Sequence, residues 1–257
     1  MHIFYFILTL LVCSLGAISG LGGGLIIKPI LDLIGYHDMA STAFYSSLAV
    51  LAMSTAATVH QWRSGVDTKW KDAGIFALGS TLGGVIGELI LQRFLGEFAQ
   101  TATATFVTSG LMIVTLVLVL LSKRLDYRRQ LSGATPLVLA GIISGGIAVF
   151  LGIGGGPINI ALLVVLFSLP IKTAISYSIV SVLCSQIAKM LTIAGSTGFS
   201  QFDLRFALLI IPAAVIGGII GSRLKMKFSD AAVSRTFTIV MLITIALNTA
   251  LLIRALL

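Results

Sequence analysis

The sequence GLGGG occupies residues 20–24 and GIGGG occupies residues 152–156, so one glycine-rich cluster appears twice, 132 positions apart. Each cluster lies near the middle of an apolar stretch, the first within 3–34 and the second within 135–169. Glycine tolerates a positive φ and lets other groups approach the backbone closely. Four glycines within five residues therefore predict that each apolar stretch breaks and turns at its cluster.

The composition indicates that these clusters belong to a membrane protein. Hydrophobic residues make up 57% of the 257 residues and charged residues only 10%, whereas soluble domains carry about a quarter charged residues. Six of the eight apolar segments have the length of about 20 residues that crosses a bilayer, and the two with glycine clusters are longer. The segments are 3–34, 40–61, 73–91, 99–122, 135–169, 173–195, 204–222 and 231–253.

The two halves of the chain repeat each other. LGGVIGEL at 82–89 resembles IGGIIGSR at 216–223, and the offset of the glycine clusters also aligns Tyr45 and Ser46 with Tyr177 and Ser178. We therefore predict a first transmembrane repeat at 1–125, a basic cytoplasmic linker at 126–131 and a second repeat at 132–257. The linker overlaps the basic run KRLDYRR at 123–129. Repeated halves are common in secondary transporters.

The basic residues predict how the halves are oriented. If each over-long segment enters and leaves the membrane on the same side, twelve Lys and Arg share one face, four lie on the other, and Lys189 remains inside a segment. If every segment crosses once, the division is nine against seven. The positive-inside rule favours the first arrangement, which inverts one half relative to the other. It also places the central linker in the cytoplasm and both termini outside.

The expected fold is thus an all-α integral membrane protein of two inverted repeats. Each repeat has a broken or re-entrant helix followed by three transmembrane helices. Residues 25–34 and 157–168 are too short to cross the membrane at about 1.5 Å per residue, which favours re-entrant half-helices.

The helix that restarts after each cluster predicts an anion site. A helix N-terminus presents unpaired N–H groups and the positive end of the dipole, and two inverted halves would bring two such termini together near the midplane. The alternative is that glycine only permits close helix packing, which we expect for Gly79, Gly83, Gly87, Gly217 and Gly221. The candidate backbone donors are Gly22, Gly23, Gly24, Gly154, Gly155 and Gly156.

Four side chains are candidates for further substrate contacts: Asn159, Ser46, Ser178 and Lys189. The amide of Asn159 can donate to an anion from the second half-helix. The two serine hydroxyls can do the same, or they can bond back to carbonyls of their own helices. A lysine inside a membrane segment marks a pathway by default, although Lys189 can also extend toward the interface.

Glu88 and His60 are candidate proton-coupling residues, and both can instead be explained as residues near the membrane interface. The chain has no GxxxxGK[ST] motif for ATP and no HExxH motif for zinc. We therefore expect no catalytic residue, no cofactor and no metal. The alternative function is that of a membrane-embedded enzyme, with a Ser185–Lys189 dyad, or of an accessory subunit.

The paired motifs GLGGGLIIKPIL (20–31) and GIGGGPINIALL (152–163), the two four-segment halves and the basic linker resemble the TauE/SafE sulfite exporter family over essentially the whole chain. The resemblance implies an inner-membrane carrier of bacterial type for sulfur-containing anions such as sulfite, thiosulfate or organosulfonates. We then expect a secondary transporter that works by alternating access, with a small anion and the bilayer as partners and no nucleic acid. A non-sulfur carboxylate as substrate and a homo-oligomeric state are left open.

Overall fold

The computed structural model describes residues 2–65, 68–98, 102–122, 130–150, 156–195 and 198–256, and every regular element in these ranges is an α-helix. The helices are α1 (His2–Ser19), α2 (Gly24–Ile34), α3 (Met39–Arg63), α4 (Trp70–Phe98), α5 (Ala102–Ser122), α6 (Ala134–Phe150), α7 (Gly156–Phe167), α8 (Ile171–Gly195), α9 (Leu204–Lys227) and α10 (Asp230–Leu256). The predicted all-α fold is confirmed. Most of the predicted basic linker lies outside the described residues.

Five of the described helices, α3, α4, α8, α9 and α10, are long and apolar enough to cross a membrane. Both over-long segments divide into two helices, with α1 and α2 formed from the first and α6 and α7 from the second. With 11 and 12 residues, α2 and α7 measure roughly 16–18 Å against a hydrocarbon core of about 30 Å. The outward faces carry exposed leucines such as Leu82, Leu118 and Leu208. The chain is a multi-pass integral membrane protein.

The first glycine cluster turns the chain back on itself. Gly20 and Gly22 both have a φ of +72°, a conformation that residues with a Cβ rarely adopt. The turn then packs against the helix it has just left, since a Cβ atom on Gly23 would lie 3.1 Å from Sγ of Cys13. A side chain at Gly16 would meet the backbone nitrogen of Gly23 at 2.6 Å. Only glycine fits both sides of this reversal.

In each of the pairs α1–α2 and α6–α7, the second helix ends close to the point where the first helix begins. The ring of His37, three residues after α2, lies 5.7 Å from the ring of Tyr5 in the first turns of α1. In the second half, the N–H of Leu131, just before α6, donates to the carbonyl of Leu166 at the end of α7 at 2.9 Å. The pairs α1–α2 and α6–α7 therefore form two hairpins.

Glycine stripes pack the two halves of the chain against each other. A Cβ atom at Gly83 of α4 would fall on the carbonyl oxygen of Ile142 in α6, and one at Gly221 of α9 on that of Ser14 in α1. Further contacts of this kind pair Gly79 with Val138, Gly87 with Gly146, and Gly217 with Leu10. The predicted packing role of these glycines is confirmed. The third helix after each break, α4 or α9, thus packs on the hairpin of the opposite half.

An aromatic cluster holds the loop between α2 and α3. The ring of His37 lies 4.9–5.7 Å from four other rings, those of Tyr5, Tyr36, Tyr45 and Phe206. Burial lowers the pKa of His37, and the nearby Asp38 and Asp203 only partly oppose that effect. The imidazole is therefore neutral at neutral pH and packs as an aromatic ring.

Replacing Gly83 by Ala should destabilise the protein, because the added Cβ meets backbone that no side-chain rotation can move. Overpacking of this kind costs about 1–3 kcal/mol of the free energy of unfolding. Gly110→Ala in α5 is the matched control, since a Cβ there meets nothing within 4 Å. Thermal unfolding in detergent should show a lower midpoint for Gly83→Ala alone. Equal midpoints for the two variants would contradict the packing described here.

Candidate functional site

The two helix breaks lie in direct contact. A Cβ atom on Gly156, the first residue of α7, would fall on the backbone of Leu21 in the first glycine cluster. One on Gly20 would lie 3.0 Å from Cδ1 of Ile160 in α7. The turn of the first half and the N-terminus of α7 in the second half therefore meet with no side chain between their backbones.

Two serines bind the carbonyl groups of the breaks. Ser178 Oγ donates to the carbonyl of Gly20 at 2.9 Å and to that of Gly156 at 3.4 Å. Ser46 Oγ donates to the carbonyl of Gly24 at 3.3 Å, which is the equivalent contact in the first half. These hydroxyls thus bond to the breaks rather than to carbonyls of their own helices.

The N-terminus of α2 has unpaired N–H groups. Among the described residues, no acceptor is present for the backbone N–H groups of Gly22, Gly23 and Gly24. By contrast, aspartate side chains cap α3 and α9, where Asp38 accepts from Ala40 and Asp203 from Arg205. The α2 terminus is therefore a cluster of donors, with Gly22 and Gly23 buried and Gly24 half-buried, and such a cluster has the chemistry that binds an anion.

Asn159 adds an amide beside the breaks. The residue is fully buried in α7, and its Nδ2 donates to Ser181 Oγ at 3.2 Å while its Oδ1 has no partner within the described residues. If the amide is turned over, Oδ1 accepts from the Ser181 hydroxyl and Nδ2 becomes a free donor. Either orientation leaves one buried polar atom available for a ligand.

Lys189 lies toward the far end of α8 from the breaks. It follows Ser178 by eleven residues, so it is displaced by roughly 16 Å along the helix axis. Its half-buried side chain interacts electrostatically with Glu88 of α4 and Lys28 of α2. Lys189 and Glu88 therefore interact through their charges, and Lys189 lies away from the contact between the two breaks.

Three predicted site residues, Gly154, Gly155 and His60, remain to be considered. Gly154 and Gly155 fall outside the described residues. His60 is near the end of α3, where its Nε2 accepts from Arg223 Nε at 3.3 Å. Ser185 donates to the carbonyls of Ser181 and Val182 at 2.8 and 3.1 Å, so its hydroxyl does not form the dyad with Lys189 that the alternative function requires.

A buried lysine was missed by the sequence analysis, which counted Lys225 among the basic residues of one membrane face. Lys225 is 1% exposed, and its Nζ donates to Gln61 Oε1 at 2.7 Å and to Ser176 Oγ at 2.9 Å. Neither ion pair of the described residues includes it. Its spacing of four from Gly221, which packs on α1, was the signal that could have revealed it.

A protein-family model for the sulfite exporter TauE/SafE matches residues 5–248. The chain belongs to the TauE/SafE sulfite exporter family. A probable membrane transporter protein of Bacillus subtilis, YunE, is 24% identical over 94% of this chain and 92% of its own length. Similar proteins include probable membrane transporters of Methanocaldococcus jannaschii, 24% identical over 87% of this chain and 86% of the relative, and of Xylella fastidiosa, 26% identical over 84% and 81%.

As a TauE/SafE member, the chain is a membrane transporter with a small-molecule substrate. The residues of the two breaks lie within the part that the family model matches. In this chain, the breaks combine buried backbone donors with serine and asparagine side chains.

Replacing Ser178 by Ala should destabilise the contact between the breaks. The change leaves the buried carbonyls of Gly20 and Gly156 without this donor, at a cost of about 1–3 kcal/mol. Ser185→Ala is the control on the same helix, because Ser185 bonds only to carbonyls of α8. Hydrogen exchange at residues 20–24 should accelerate in Ser178→Ala and stay unchanged in Ser185→Ala. Unchanged exchange in both would show that Ser178 does not hold the breaks together.

Proposed function

We propose that this protein is a secondary transporter that moves a small sulfur-containing anion across the cytoplasmic membrane by alternating access, with the anion bound at the two helix breaks. The observation that carries the proposal is the contact of the α7 N-terminus with the glycine turn before α2, where the N–H groups of Gly22, Gly23 and Gly24 have no acceptor within the described part of the chain. Buried donors of this kind need an acceptor, and an anion supplies it.

The chemistry of the donors fits a sulfur oxyanion. Sulfite, thiosulfate and organosulfonates all present three oxygen acceptors on one sulfur, and three consecutive N–H groups can reach several of them at once. The amide of Asn159 and the hydroxyls of Ser46 and Ser178 border the same breaks, and the Gly154 and Gly155 N–H groups are proposed as the donors of the second half. The name of the family, sulfite exporter, supports the same substrate class.

Several contacts support inverted halves. Both hairpins return to the end at which they begin, and α3, α4 and α5 lie between them. Three crossings would start the second hairpin from the opposite side of the membrane to the first. The ends of α3 and α9 also meet the beginning of α8 through Lys225, as this topology requires. We place this end and the basic linker in the cytoplasm of a bacterial-type cell and both termini outside, following the positive-inside rule.

Two lysines near the two ends of α8, buried Lys225 and half-buried Lys189, support a path for an anion through the breaks. Lys225 of α9 bonds to Ser176 near the start of α8, two residues before Ser178, and Lys189 lies in the other half of α8. A cation inside a membrane segment is costly and typically marks an ion pathway. Glu88, the charged neighbour of Lys189, is the proposed site of proton coupling. His60, which is bonded to Arg223, is not included in this path.

Reconstituted into liposomes, the wild-type protein should carry sulfite, thiosulfate or a sulfonate such as methanesulfonate, and acetate should be carried poorly. In Gly156→Ala, the added Cβ separates α7 from Leu21 and should lower this flux at least tenfold. Gly195→Ala is the control, because a Cβ there meets nothing within 4 Å. Flux of acetate alone would indicate that the substrate is a carboxylate. Full sulfur-anion flux in Gly156→Ala would exclude the breaks as the binding site.

Lys189→Gln should also reduce sulfur-anion flux at least tenfold, because it removes a cation from the proposed path while preserving most of the side-chain volume. Lys227→Gln removes an equal charge from an exposed position at the end of α9 and should leave flux within twofold of wild type. Flux of the Glu88→Gln variant should lose its dependence on an imposed pH gradient. If Lys189→Gln and Lys227→Gln behave alike, Lys189 does not belong to the path.

A further inference from the structure

A groove between α3 and α9 lies outside the proposed anion path. It encloses about 610 Å³, and most of the residues that line it are apolar or small. Three basic side chains, those of His60, Arg63 and Arg223, line it as well. All three belong to the last turns of α3 and α9, so the basic residues are concentrated at one end of the groove. The apolar lining is formed by Leu48, Leu51, Ala52, Ala56, Val59, Ile211, Val215 and Ile219.

The basic end has positive charge available for a ligand. Arg63 and Arg223 are both exposed, and neither takes part in the ion pairs present among the described residues. Arg223 uses its Nε to donate to Nε2 of His60, which leaves its two terminal nitrogens without a hydrogen bond within the described part of the chain. Two guanidinium groups at the mouth of an apolar groove favour a ligand that carries a phosphate and a hydrocarbon chain together.

We propose that the groove binds one anionic phospholipid, with its phosphate on Arg63 and Arg223 and an acyl chain along the apolar wall between α3 and α9. The basic end and the apolar wall together determine this choice of ligand. A soluble anion would leave the apolar wall unused, and a zwitterionic lipid would offset the two guanidinium charges less well. Basic pockets between membrane helices at the cytoplasmic surface bind anionic headgroups in this way.

The position of His60 agrees with this assignment. Because its Nε2 accepts a hydrogen bond from Arg223, the imidazole is neutral and orients the guanidinium, and the residue does not need to carry a proton across the membrane. The lipid would also contact both halves of the chain, since α3 belongs to the first and α9 to the second. Its occupancy should therefore affect how the halves hold together.

Native mass spectrometry of the full-length protein, with phosphatidylglycerol and phosphatidylcholine of equal chain length, tests the proposal. The wild type should retain phosphatidylglycerol at least fivefold more than phosphatidylcholine. The double variant Arg63→Gln, Arg223→Gln should lose that preference. Arg235→Gln, which removes an exposed charge from α10 outside the groove, should keep it.

A second variant tests the apolar wall without changing any charge. Thr55 is exposed in the groove and bonds only to its own helix, so Thr55→Phe should fill the space and lower phosphatidylglycerol retention while the thermal midpoint stays near that of wild type. Equal loss of retention in Arg235→Gln would indicate a diffuse charge effect and overturn the proposal. So would displacement of the lipid by glycerol phosphate at equal concentration, which would indicate a site for a soluble anion.

Discussion

The structure depends on the backbone contact between the two helix breaks. Gly156 lies on the backbone of Leu21 so closely that no side chain could separate them, and Ser178 bonds to a carbonyl on each side of the contact. This contact requires glycine at the meeting point and a left-handed turn before α2. It also brings a helix N-terminus without a side-chain cap into the interior, and irregular backbone at membrane depth is tolerated where it is buried in protein or lines a water-filled cavity.

The half-helices α2 and α7 make equivalent serine contacts but carry different side chains. Ser46 bonds to the carbonyl of Gly24, the first residue of α2, and Ser178 bonds to that of Gly156, the first residue of α7. The serine follows the glycine by 22 residues in both cases. Asn159 occupies the position that Ile27 holds in the first half, and the position equivalent to Lys189 is Ala57. The polar side chains of the proposed site thus come mainly from the second half.

Much of the fold could be predicted because it follows from local rules. The length of the first and fifth segments predicted that each divides, and the spacing of four between Gly217 and Gly221 predicted close helix packing. The candidate site was harder to predict because it depends on how distant segments meet. Lys189 and Ser178 were both candidate substrate contacts, yet the two residues are separated by about three helical turns. The burial of Lys225 was missed because its position near the end of an apolar segment assigned it to a membrane face, and position in the chain does not show whether a side chain is buried.

The crossed packing of the glycine stripes has a consequence for the origin of the fold. Each half carries a stripe on α4 or α9 and, on its own hairpin, the surface that receives the stripe of the other half. A chain of half this length would expose both surfaces, and two copies could bury them only by exchanging partners. The crossed packing therefore has, within one polypeptide, the form that an exchange of partners between two half-length chains would produce.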